Sequence, residues 1–131
     1  MLRYDWRYRT SLGVLLTLGL LWPWPLALAA DPQTVTQTLT YANGDVYVGE
    51  TVNGKRQGEG VYTYQDGKRY TGAWQDDKRY GKGTWVFADG KQYTGEWRDD
   101  KQVGRGTMLH PDGTQYNVEW KEGQPSKRGG K

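Results

Sequence analysis

Tyr70-Thr71-Gly72-Ala73-Trp74 decides the fold, because it returns. The pattern Tyr-x-Gly-x-Trp recurs at Tyr93-Thr94-Gly95-Glu96-Trp97, one step of 23 residues later. Altered copies stand at Tyr47-Val48-Gly49-Glu50-Thr51 and Tyr116-Asn117-Val118-Glu119-Trp120, in the same frame. Gly58, Gly81 and Gly104 share the step, as do Gly60, Gly83 and Gly106, and so do Gly44, Gly67, Gly90 and Gly113. A fixed period of this length marks an array of supersecondary units. Within each unit large and polar residues alternate, which is the period of a strand. Asn43-Gly44, Asp66-Gly67, Asp89-Gly90 and Asp112-Gly113 read as hairpin turns. No segment after residue 31 has helical periodicity of useful length. Full units run over 47–69, 70–92 and 93–115, with half-units at about 35–46 and 116–123. Strands are expected near 35–41, 46–52, 59–65, 69–75, 82–88, 92–98, 105–110 and 115–120, paired antiparallel in sequence order. The fold class is all-β: an elongated single-layer meander of hairpins over residues 31–123.

Turn type sets the register, and register decides which side chains meet. A three-residue loop at Gln65–Gly67 and its copies puts Tyr62 and Tyr70 directly opposite on one face. It also places Pro111 at the second turn position, where its fixed φ fits. With Trp74 set opposite Gly81 at the other hairpin end, three rows cross one face. The first is Leu39, Tyr47, Tyr62, Tyr70, Trp85, Tyr93, Met108, Tyr116. The second is Gln37, Gly49, Gly60, Gly72, Gly83, Gly95, Gly106, Val118. The third is Val35, Thr51, Gly58, Trp74, Gly81, Trp97, Gly104, Trp120. Rings are expected to lie over the bare glycine row, a form of aromatic rescue. The other face is largely polar.

The flanks read differently. Residues 1–11 are basic and aromatic, Leu12 to Trp22 is apolar, and Ala27-Leu28-Ala29-Ala30 closes the stretch. Residues 1–30 therefore read as a signal-peptide helix, cleaved after Ala29 or Ala30, or else as an uncleaved N-terminal membrane anchor. An exported chain, periplasmic or extracellular, is the expectation. Residues 124–131, with Lys127, Arg128 and Lys131, read as a disordered basic tail.

The 131 residues carry a net charge of +3. That excess belongs to the two ends, and a charge-neutral body is not the footprint of a nucleic-acid binder. The chain has no Cys and one His. His110 has no second His and no Ser or Cys partner, so it reads as an ordinary strand-end residue. Asp76-Asp77 and Asp99-Asp100 recur at the repeat step and read as turn residues rather than metal ligands or paired catalytic carboxylates. No catalytic, cofactor-binding or metal-ligating residue is assigned.

Tyr70-x-Gly72-x-Trp74, Gly81-x-Gly83 and Asp89-Gly90 at this step resemble the MORN repeat (membrane occupation and recognition nexus), over residues 41–123. Thr51 stands where Trp is usual in that family, and Val118 where Gly is usual. Asp77 and Asp100 stand in place of the Gly seen at Gly54. The resemblance implies a single-layer sheet of hairpins used as a scaffold or interaction surface. The expected binding face is Tyr70, Trp74, Trp85, Tyr93, Trp97, Tyr116 and Trp120, underlain by the structural glycines Gly49, Gly60, Gly72, Gly83, Gly95 and Gly106. A protein partner met by this face or by the sheet edges is the leading expectation, with self-association included. Anionic phospholipid and glycan surfaces are the alternatives.

Overall fold

The computed structural model describes residues 32–121 and 123–126. The leader and residues 127–131 lie outside the described residues. Nine strands form one antiparallel sheet in chain order: β1 (Val35–Thr40), β2 (Val46–Val52), β3 (Lys55–Thr63), β4 (Arg69–Gln75), β5 (Lys78–Val86), β6 (Gln92–Arg98), β7 (Lys101–Leu109), β8 (Gln115–Lys121) and β9 (Gln124–Ser126). The described residues contain no helix.

The loop choice and two of the three rows hold throughout. Tyr64 N–H donates to the Lys68 carbonyl (2.9 Å) and Gly67 N–H to the Tyr64 carbonyl (3.0 Å), which encloses three loop residues. Gly67 has φ +92°, a conformation that costs glycine nothing. Pro111 lies inside the copy closed by the bond from Gly113 N–H to the His110 carbonyl (2.9 Å). Pairing runs Leu39–Tyr47–Tyr62–Tyr70–Trp85–Tyr93–Met108–Tyr116 without a slip. The glycine row pairs from Gln37 to Val118 in the same way.

The third row is corrected at every second step. Gly58, Gly81 and Gly104 do face Trp74, Trp97 and Trp120 across one ladder. Across the other, Thr51 pairs with Arg56, Trp74 with Arg79 and Trp97 with Gln102, not with the glycines. The reason is a tighter hairpin. Asn53-Gly54, Asp76-Asp77 and Asp99-Asp100 each place two residues at positive φ, the requirement of a two-residue turn. β3, β5 and β7 therefore begin four residues before the expected starts at 59, 82 and 105, and the surplus is absorbed by bulges in those ladders. The tail is corrected over Gln124–Ser126 alone. Gln124–Ser126 add a ninth strand, Pro125 pairing with Trp120, and the Ser126 hydroxyl donates to the Glu119 carbonyl (3.0 Å).

Candidate interaction surface

The glycine row is where the tyrosines settle. A methyl group on Gly60, Gly83 or Gly106 would collide with the phenol end of Tyr47, Tyr70 or Tyr93 respectively, within 2.7 Å of its Cε2, Cζ and hydroxyl oxygen. All three rings are fully buried. The Tyr47 hydroxyl donates to the Glu50 carbonyl (2.7 Å) and the Tyr70 hydroxyl to the Ala73 carbonyl (2.9 Å), so each phenol meets backbone at the bulge. Burial favours the neutral phenol and pushes the Tyr47 and Tyr93 hydroxyls up to about 12.

Each indole stands edge-on to these rings. Tyr70 lies between Trp74 and Trp97, with centroids 5.1 and 5.3 Å away and planes near perpendicular. Trp74 Nε1 donates to the Gly60 carbonyl and Trp97 Nε1 to the Gly83 carbonyl, both at 3.3 Å. The outer faces of the two indoles are covered by arginine. Arg56 lies 4.4 Å from the Trp74 ring centroid and Arg79 lies 4.5 Å from that of Trp97. Each guanidinium is held by the next tight turn. Arg56 Nε donates to Asp77 Oδ1 (3.0 Å) and Nη2 to the Asp77 carbonyl (2.7 Å). Arg79 repeats both contacts on Asp100 at 2.9 and 3.0 Å. The paired aspartates thus have work to do: the second of each pair accepts from arginine while its backbone turns through positive φ.

One step on, Gln102 and Gly123 occupy the positions of that arginine and aspartate. In that unit Tyr93 Oη and Trp120 Nε1 are buried with no hydrogen-bond partner.

The expected binding face therefore divides. Tyr70 and Tyr93 are 0 % exposed, Trp74 4 % and Trp97 3 %, so these four form the core and present no plane to a partner. Trp85, Tyr116 and Trp120 are partly buried. Trp85 keeps its place in the first row and also packs against a second set of aromatics, outside the three rows expected from sequence. Tyr41, Tyr64, Phe87 and His110 share the 23-residue step at the entrance to each three-residue loop, and that periodicity was the signal available to find them. Tyr41 packs on Tyr62 (5.6 Å), Tyr62 on Tyr64 (4.6 Å), Tyr64 on Trp85 (5.2 Å) and Trp85 on Phe87 (6.1 Å). His110 packs on Tyr116 (5.6 Å) farther along. At the near end Asp45 is buried. It accepts from Gln65 N–H (2.9 Å), the Tyr62 hydroxyl (2.8 Å) and the Asn43 amide (2.9 Å), which hold its carboxyl below the usual range. The result is an aromatic strip along the loop side of the sheet, bordered by the Lys68–Asp66 and Lys91–Asp89 ion pairs.

A model of the MORN-repeat family matches residues 47–69, 70–92 and 93–115, and no curated protein matches the chain.

Proposed function

The chain belongs to the MORN-repeat family of binding and scaffold modules, and from that premise we propose that it is an exported, non-enzymatic module that holds a protein partner on its aromatic strip. The observation that carries this reading is the run of partly exposed rings Tyr41, Tyr64, Trp85 and Phe87, joined through the buried Tyr62, along a sheet on which no second layer packs among the described residues. Amphipathic aromatics bury large area at low entropy cost and dominate protein interfaces. The other surfaces compete less well. Arginine occupies the Trp74 and Trp97 planes that a sugar ring would need. Residues 40–123 carry twelve basic against thirteen acidic side chains, and Arg56, Lys68, Arg79 and Lys91 are already paired with carboxylates, so the body offers an anionic lipid surface no net positive charge and the excess lies in Lys127, Arg128 and Lys131. Export rests on the pattern of residues 1–30.

The test is photo-cross-linking in the source cells, with a benzophenone side chain at Tyr64 or Phe87 and, as the opposite-face control, at Thr71. Discrete protein adducts from the first two positions, lost on Trp85→Ala, are the expected result. Equal adducts from Thr71 would remove the strip from the interface. N-terminal sequencing of the mature chain checks the leader.

A further inference from the structure

Beyond that reading, and on a separate part of the sheet, we propose that β1 pairs with β1 of a second copy, joining two sheets edge to edge about a two-fold axis. The two ends of the sheet are unlike. β9 is three residues long and contains Pro125, which has no N–H to offer; both are devices that blunt an edge. β1 has neither. It is six residues long, its ladder with β2 runs through six pairs without a bulge, and no residue from Pro32 to Gly44 is charged. Among the described residues nothing pairs with its outer side.

The polarity of the strand favours its own copy over an unrelated segment. Tyr41 N–H donates to the Asp45 carbonyl (2.9 Å), and hydrogen-bonded pairs alternate along an antiparallel ladder. Leu39, Gln37 and Val35 therefore point their peptide groups at β2, while Thr36, Thr38 and Thr40 point theirs outward. A two-fold axis through Thr38 lays Thr36 on Thr40 and Thr38 on itself. Every outward peptide group then meets the same residue type, and threonine–threonine pairs suit neighbouring strands. The same rotation keeps the aromatic faces of both copies on one side and sets Leu39 beside Gln37. No like charges meet. Addition of β1 to β9 would instead be head-to-tail and open-ended, and the blunted β9 edge opposes it.

The chain has no cysteine, so the axis can be tested with one substitution. Directly opposed residues of a hydrogen-bonded pair have Cα atoms about 5.5 Å apart, within disulfide reach. Full-length Thr38→Cys should oxidise to a covalent dimer, while Thr71→Cys, exposed in mid-sheet, should not. The unaltered chain should sediment at twice the monomer mass. Thr38→Lys, which sets two ammonium groups together on the axis and replaces an exposed side chain, should sediment as one chain with unchanged circular dichroism. A monomeric unaltered chain across the micromolar range would overturn the proposal. So would a dimer that survives Thr38→Lys, cross-linking at Thr38 no greater than at Thr71, or a β1 edge that captures a different protein while the chain stays single.

Discussion

Gly83→Ala tests the packing of tyrosine on glycine more sharply than any other single change. The added methyl collides with the phenol end of Tyr70, within 2.5 Å of its hydroxyl oxygen, Cε2 and Cζ atoms. The ring has little room to tilt, because Trp74 and Trp97 stand edge-on at 5.1 and 5.3 Å on its two sides. A small adjustment of the sheet would cost roughly 1–3 kcal/mol through overpacking. Full eviction of a ring that buries ~200 Å² would cost about 5 kcal/mol at ~25 cal/mol per Å². With the indoles blocking the cheaper escape, we expect about 3–5 kcal/mol, against a typical total of about 5–15. In a Tyr70→Ala background the three atoms nearest that methyl are gone, so Gly83→Ala should then be close to neutral. The coupling between the two changes should reach ~3 kcal/mol. Urea titrations followed by circular dichroism, with sucrose added to keep the single variants folded, measure the four corners of the cycle. Costs that simply add, within about 0.5 kcal/mol, would refute the stacked geometry.

Three other outcomes follow from the same coordinates. Gln102→Arg and Gly123→Asp together should rebuild the missing arginine clamp on Trp120, with a favourable coupling of ~1 kcal/mol for a partly exposed ion pair that also stacks on an indole; a cycle by thermal melting that shows no coupling would contradict the clamp. Gly90→Ala should cost about 1–2 kcal/mol, because φ there is +88° and the Cβ would also press on Pro111 at 3.3 Å; a neutral melting temperature would argue against the loop geometry. Stability should fall at both ends of the pH scale. The Tyr47 and Tyr93 phenols keep their protons in the fold up to about 12 against an ordinary 10, so their contribution is whole below pH 10 and lost between 10 and about 12. Asp45, held low by Gln65, Tyr62 and Asn43, contributes above 3.8 and loses its share as pH falls below that value. A flat stability profile from pH 9 to 12 would count against buried tyrosines.

How much of this was legible depends on how local the cause is. The tyrosine and glycine rows follow from the step of 23 and one turn choice, so Tyr62 opposite Tyr70 and Gly72 opposite Gly83 could be placed from sequence. The tight turns at Asp76-Asp77 and Asp99-Asp100 could not. Two consecutive aspartates are a poor signature for positive φ, and what offsets their strain is an arginine 21 residues earlier in the chain. Without that non-local term the sequence pattern starts β5 and β7 four residues late and sets the indoles against glycines on both sides. That four residues of the expected face are buried has a related cause. Alternation identifies which residues share a side of the sheet, but it does not distinguish Tyr70, sunk onto bare backbone, from Trp85 in the same row, which keeps part of its surface in solvent.

The clamp from Arg56 to Asp77 and from Arg79 to Asp100 gives the array a direction. Each unit reaches forward to be fastened by its successor, and the last reach, from Gln102 toward Gly123, closes on nothing comparable. Neighbour-coupled arrays of this kind open from the end where the coupling is weakest. Here that end is the C-terminal one, where a tyrosine hydroxyl and an indole N–H are shut in without partners. Backbone amides of β7 to β9 should accordingly exchange before those of β2 to β5, and the sheet should melt as a zipper pulled from one side.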